Sequence, residues 1–419
     1  MNTTKNEVLA LIKESDVKFI RLGFCDLLGL QKNIAIMADN LPNALEEGIS
    51  FDGHAIKGFA DVCESDLLLF PDPASIMVLP WRPGAGGTAR MFCDIKNYDG
   101  TPFALDGRQI LKRVIEKYTQ RGFTCMVGAE CEFYLFKTDE NGTPTKTPVD
   151  KGGYLDIAPL DKSEDIRREI CLTLEEIGIR PEAAHHEQGP GQNEVGFKFS
   201  DALSCADSIL SFKTIVKKVA ARNGLFASFM PKPIPNMPGS GLHINLSLAR
   251  NGENILNDNF TAGILSKVRE MTLFLNPLSN SYARHGEFEA PKYVSWSYRN
   301  RSQLIRIPAA KGERVRIELR SPDPSVNPYL AFALVLAAGL EGIEQALTLP
   351  PEVDADLFTA HPSLTGKLEM LPESLFAAIN LARGSEFVRT VMGSAMLDNY
   401  IKIKEAELDF TEAHYFERV

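Results

Sequence analysis

Hydrophobic and polar positions alternate most strictly at residues 242–248. Leu242, Ile244, Leu246 and Leu248 fall on one face of a strand there, and His243, Asn245 and Ser247 on the other. The loop that feeds it, residues 230–241, is crowded with proline and ends in Gly-Ser-Gly, which lets backbone and ligand approach closely. Three further segments read as strands with a charged face. Residues 128–136 project Glu130 and Glu132 from the same side. Residues 191–199 set Glu194 opposite Val195, Phe197 and Phe199; Glu187 lies before them, after His185-His186 and across a Gly-Pro-Gly turn. Residues 314–320 set Arg314, Arg316, Glu318 and Arg320 opposite Val315, Ile317 and Leu319.

Helical periodicity with acidic or capping starts covers 105–120, 162–178, 326–348 and 374–407, and the first sixteen residues read as a short amphipathic helix. Short strand-like runs at 17–35, 67–80 and 90–95 are broken by Asp-Leu-Leu-Gly and Pro-Asp-Pro turns, with a flexible WRPGAGGTA loop after Pro80. The turn cluster at 97–102 marks a boundary, so the pattern predicts a small β-rich domain at 1–100 and a larger one at 101–419.

Carboxylates turned inward cost several kcal/mol each when unpaired, so such faces need cations. Mostly carboxylate ligands with one imidazole suit hard divalent ions such as Mg²⁺ or Mn²⁺. Arginines at the rim suit an anionic substrate or phosphates, and the combination points to phosphoryl transfer. Neither a GxxxxGK[ST] loop nor a GxGxxG between strand and helix is present, so any ATP is held by other means.

Composition narrows the partners. A formal charge of −10 over 419 residues argues against nucleic acid, and no apolar run reaches the length of a membrane span. The N-terminal stretch lacks a signal-peptide core. Seven scattered cysteines, with no CxxC, read as reduced, buried residues of a cytoplasmic protein without structural zinc.

A series of motifs follows in fixed order. Phe51-Asp-Gly53, Glu130-Cys-Glu132, His185-His186-Glu187 with Gly191-Gln-Asn-Glu194, and the 230–248 loop and strand come first. Asn280-Ser-Tyr-Ala-Arg284, Glu289-Ala-Pro291, Asn300-Arg-Ser302, Arg306-Ile-Pro308, Arg316-Ile-Glu-Leu-Arg320, Pro322-Asp-Pro324 and Asn327-Pro-Tyr-Leu330 complete it. In this order they resemble the glutamine synthetase family, from about residue 17 to 345.

The resemblance implies an α+β chain: a small β-grasp N-terminal domain, then a catalytic domain with a curved antiparallel sheet flanked by helices. It implies a homo-oligomer, a dodecameric double ring whose sites lie between one subunit's sheet and its neighbour's N-terminal domain. By similarity Glu132, Glu187 and Glu194 bind one metal, and Glu130, His243 and Glu318 the other. Arg284, Arg320 and the Gly239 backbone would hold the substrate's carboxylates. Glu182, Asn245, Ser247, Arg306 and Arg316 would border the nucleotide, and Arg301 the transferred phosphate. Asp52 of the neighbouring subunit, with Tyr154, Glu187 and Glu289, would bind ammonium and take its proton. The implied reaction ligates ammonia to the γ-carboxylate of L-glutamate through γ-glutamyl phosphate, giving glutamine, ADP and phosphate.

Some positions depart from the family pattern. Pro238 stands where an Asn usually precedes Gly-Ser-Gly, and Asn245 replaces the second histidine of His-x-His. His54 and Ala55 replace two serines, the loop from Arg284 to Glu289 is one residue shorter, and the adenylylation loop of some relatives has no counterpart. Pro238 and Ala55 motivate an alternative, a γ-glutamyl–amine ligase that takes a polyamine or small amine. A catalytically weak regulatory relative is the reading from another class, and six retained metal ligands argue against it.

Overall fold

The structure is a computed structural model that describes residues 3–80 and 86–419, apart from the Glu313 side chain. Most of the loop expected after Pro80 (residues 81–85) lies outside the described residues. The chain starts with the helix Lys5–Glu14, which Thr4 and Glu7 close with a capping box. A six-stranded sheet follows, in the order Gln31–Met37, Val17–Cys25, Gly87–Asn97, Asp66–Pro71, Ile49–Asp52, with Met77–Leu79 also on Gly87–Asn97. Val17–Cys25 and Gly87–Asn97 run parallel; the other pairs are antiparallel.

The larger sheet has eleven strands. Its main path runs Trp296–Tyr298, Ile305–Ile307, Ile317–Leu319, Leu242–Arg250, Thr124–Thr138, Gln192–Phe197, Pro181–His186. The sheet is mixed rather than wholly antiparallel, because Trp296–Tyr298 and Ile305–Ile307 pair in parallel. Leu242, Ile244, Leu246 and Leu248 are fully buried, as the alternation required.

Helices Gly107–Gln120, Glu164–Glu176 and Pro328–Glu344 lie within the predicted segments. The helical stretch 374–407 divides into three helices: Ser385 caps a new helix at Glu386, and Gly393 breaks the chain with φ of +82°. Two long helices, Ala202–Arg222 and Asp258–Leu275, were not marked by the pattern. Of the charged run 314–320 only Ile317–Leu319 is strand, and Arg314 ends an exposed 3₁₀ turn. Five cysteines are buried as expected, but Cys171 is half-buried and Cys63 is exposed.

Arg108, at the start of the helix Gly107–Gln120, ties the two sheets' supports together. It meets Asp72 at 2.9 Å and Asp94 at 2.8 Å from the N-terminal side, and Asp207 of the helix Ala202–Arg222 at 2.9 Å.

Candidate active site

Register brings the acidic residues to one face. Glu132 stands directly across from Glu194, Glu130 across from His243, and Asn245 across from Glu318, which in turn faces Arg306. In an antiparallel pair, opposite residues share a face and sit close together, so four strand contacts assemble the cluster. A cavity of about 400 Å³ opens over it. Glu130, Glu132, Glu187, Glu194, Glu289 and His243 line it, as do Arg284, Arg301, Arg306, Arg316 and Arg320. Tyr154, Pro238 and Gly239 complete the wall.

The loop before the His243 strand is fastened to this face. Gly241 N–H donates to Glu132 Oε2 at 2.9 Å, and Tyr134 Oη donates to the Pro238 carbonyl at 2.6 Å. A Cβ on Gly239 would lie 2.5 Å from Arg284 Cγ and 2.6 Å from the Pro231 carbonyl, so only glycine fits against that arginine. Arg284, fully buried, donates to the Ser321 carbonyl at 3.0 Å. Glu318 accepts from Arg306 and Arg320, both at 2.5 Å, and lies 3.5 Å from His243 Nδ1.

The carboxylates divide by electrostatics. Burial would raise Glu318, yet Arg320, His243 and Arg306 hold it at about 2. Burial likewise opposes the lowering of Glu130, which His243 brings about. Glu132 is pushed up to about 7 by burial and then by Glu187. Glu194 is pushed up by burial and by its facing carboxylates, Glu132 first. Glu130 meets His243 at 3.5 Å; Glu187 and Glu194 meet His185 at 2.9 Å and 3.9 Å. A face with this excess of buried negative charge fits hard divalent cations, with Glu130, Glu194 and His243 forming one compact ligand group and His185, Glu187 and Glu194 another.

Asp52, Glu182, Asn245 and Ser247 lie apart from the lining. Asp52 is exposed at the end of Ile49–Asp52, accepting from the His54 amide at 2.9 Å. Glu182 is exposed on the strand Pro181–His186, and Ser247 is half-buried further along the His243 strand. Asn245 bridges the cluster from below: its Nδ2 donates to Glu130 at 3.0 Å and its Oδ1 accepts from Arg316 at 3.0 Å. Glu289 stands on a loop where it and Phe288 take φ of +67° and +45°, strained values for these residues. Its carboxylate accepts from Arg320 at 3.4 Å and Gln188 at 3.2 Å.

Two positioning groups escaped the sequence reading. Gln192 donates to Glu132 at 2.9 Å and to the Gly239 carbonyl at 3.2 Å. It lies two residues from Glu194, so the same alternation would have found it. His186, unlike His185, turns inward: Nδ1 meets the Glu187 carbonyl at 2.7 Å and Nε2 meets Asp150 at 3.0 Å. Burial would lower the pKa of His186, but Asp150 and the Glu187 carbonyl raise it, and Asp150 also accepts from the Gly191 amide at 2.8 Å, fixing the turn that carries Glu187.

Comparison with known proteins agrees with this architecture. The glutamine synthetase β-grasp domain matches residues 16–98, and the glutamine synthetase catalytic domain matches 104–418. The chain is 46% identical over 421 residues to a glutamine synthetase of Clostridium saccharobutylicum, covering 97% of this chain and 95% of that protein. It is 45% identical to one from Methanosarcina mazei (97% and 94%) and 41% identical to one from Staphylococcus aureus (99% and 97%). Among solved structures, a GmaS/ADP complex superposes with a TM-score of 0.87 at 31% identity, covering 96% of this chain and 95% of that one. GmaS without ligand gives 0.85 at 31% identity, over 95% and 94%. The fold and the acidic, arginine-rimmed sheet are those of a carboxylate–amine ligase architecture. The chain belongs to the glutamine synthetase family.

Proposed function

We propose that the chain is a glutamate–ammonia ligase, joining ammonia to the γ-carboxylate of L-glutamate with ATP and passing through γ-glutamyl phosphate. One observation carries this reading: five carboxylates and five arginines share a single cavity in a chain 46% identical to a glutamine synthetase. The larger-amine alternative is not favoured by the curated relatives.

Glu132, Glu187 and Glu194 would hold one divalent ion, and Glu130, His243 and Glu318 a second; Mg²⁺ or Mn²⁺ suits the oxygen-rich set. Such ions, when bound, neutralise charge on the transferring phosphate. Arg284, Arg320 and the Gly239 backbone would orient glutamate for attack on the γ-phosphate. Arg306 and Arg316, with Glu182, Asn245 and Ser247 nearby, would border the nucleotide. Arg301 would offset charge on the transferred group. An amide cannot form directly because a carboxylate is a poor electrophile; the acyl phosphate supplies the leaving group. Ammonia arrives mostly as ammonium, so Asp52, Tyr154, Glu187 and Glu289 would hold it and accept its proton. Closure of the Glu289 loop would keep water from the intermediate.

Asp52 would come from a neighbouring subunit in a dodecameric double ring. Supporting this, Asp52 does not line its own chain's cavity, while Tyr154 on the cavity wall and Leu155, Ile157 and Leu160 after it in the chain are 51%, 59%, 74% and 59% exposed. Unpaired cysteines support a reducing, cytoplasmic setting, and among the described residues no helix is long and apolar enough to cross a membrane.

Phosphate release from ATP and glutamate should be fastest with ammonium. Turnover only with larger amines would overturn the acceptor assignment, and none with any amine would overturn the ligase reading. Mixing Asp52→Ala with Arg320→Ala subunits should restore activity that neither shows alone.

A further inference from the structure

A second cavity, of about 330 Å³, lies between the 28–32 turn of the N-terminal domain, the helix Ala202–Arg222 and the last residues of the chain. It shares no lining residue with the active-site cavity. Five cationic side chains line it: Lys32, Lys213, Lys217, Lys404 and Arg418. Three of these have acidic partners. Lys404 and Arg418 both lie on Glu407, at 2.8 Å and 3.1 Å, and Lys32 faces Asp26 at 3.7 Å.

Lys213 and Lys217 differ. Among the described residues neither has a carboxylate within ion-pair distance; both ammonium groups instead stand over the Phe229 ring, 5.8 Å and 5.9 Å from its centroid. They are four residues apart on one helix, so they face the same side, where like charges repel. Burial lowers the pKa of Lys213, and burial followed by repulsion from Lys213 brings Lys217 to about 8. Two like charges drawn together in a partly enclosed cavity, with a third cation in excess around Glu407, give the site an excess of positive charge, since no Asp or Glu is among its lining residues. Phe229 and Leu210 give it an apolar wall.

We propose that this cavity binds a small organic dicarboxylate, its carboxylates held by Lys213 and Lys217 on one side and by the Arg418 side on the other, with its carbon chain against Phe229. The volume lies within the range of small-molecule sites. Point-charge lysines above an aromatic face favour a flexible carboxylate ligand over the bidentate geometry that arginine gives to phosphate. The site sits behind the catalytic sheet, because Lys213 lies near Cys131, between Glu130 and Glu132 in sequence.

Isothermal titration of the full chain with succinate should show saturable binding, one per chain. The double variant K213Q/K217Q should weaken it about tenfold or more and leave glutamine formation without succinate unchanged. Equal affinity in the double variant would place the ligand in the active-site cavity and overturn the proposal, as would the absence of saturable heat. Inorganic phosphate binding as tightly as succinate would overturn the carboxylate assignment. In the unmodified protein, succinate should protect Lys217 from acetylation at pH 8, read by peptide mass spectrometry, whereas ATP with glutamate should not. Equal acetylation with and without succinate would also overturn it.

Discussion

Glu194 is 9% exposed and faces Glu132 across a strand pair, so its charged form is penalised in the folded chain. A carboxyl raised above its ordinary value of 4.5 costs stability wherever the pH exceeds that value. At neutral pH the metal-free fold therefore bears the cost of its own ligand. Glu194→Gln should raise the thermal unfolding midpoint of the metal-free chain and abolish the further rise that Mn²⁺ gives the wild type. Scanning fluorimetry with and without Mn²⁺ reads both, and a lower metal-free midpoint would contradict the account. Gly239 acts through space rather than charge. A methyl group there would displace Arg284, so Gly239→Ala should raise KM for glutamate about tenfold or more while leaving KM for ATP nearly unchanged. Steady-state kinetics with each substrate varied in turn would show the split.

At the scale of elements, a side chain's face was legible because the two-residue period of a strand depends only on local sequence. That is why Glu130, Glu132, Glu194 and His243 stood out. Register was not legible, since it is set by contacts between distant segments; the juxtaposition of Glu132 with Glu194 and of Asn245 with Glu318 appears only in the folded sheet. The helix Asp258–Leu275 went unmarked because it is buried on most of its circumference and offers no clean polar stripe, whereas Ala202–Arg222 does repeat its buried positions at helical spacing (Ala202, Cys205, Ala206, Ile209, Ile215, Val216, Val219) and was legible but missed. The run at 314–320 misled in the opposite direction. Its alternation is perfect, yet the 3₁₀ turn at Arg314 leaves three residues to pair, and its buried charges survive by bonding one another.

For the whole molecule, the Arg108 cluster decides how the two domains answer to acid. Burial would raise Asp72, but Arg108 and then Lys112 lower it. Its contribution to stability is therefore present above the ordinary value of 3.8 and is lost as pH falls through the lowered folded value. Arg108→Ala leaves Asp207 without its cation and Asp72 and Asp94 with Lys112 alone, and should cost about 3 kcal/mol near neutral pH. It should also flatten the fall in stability below pH 4. Urea unfolding across a pH series tests both, and an unchanged acid limb would show that Asp72 draws its stabilisation elsewhere. Nothing in the sequence pattern pointed to this cluster, because its members are scattered from Asp72 to Asp207.

The placement of charged groups on strands and of Asp52, Tyr154 and Glu289 on strand ends and loops has an evolutionary consequence. The half of the reaction that activates a carboxylate would be written into a sheet, where a one-residue slip ruins every ligand at once. The half that chooses the incoming nitrogen would be written into segments that can be exchanged without touching that register. Such a chain can change its acceptor by editing loops while its activation chemistry is inherited intact.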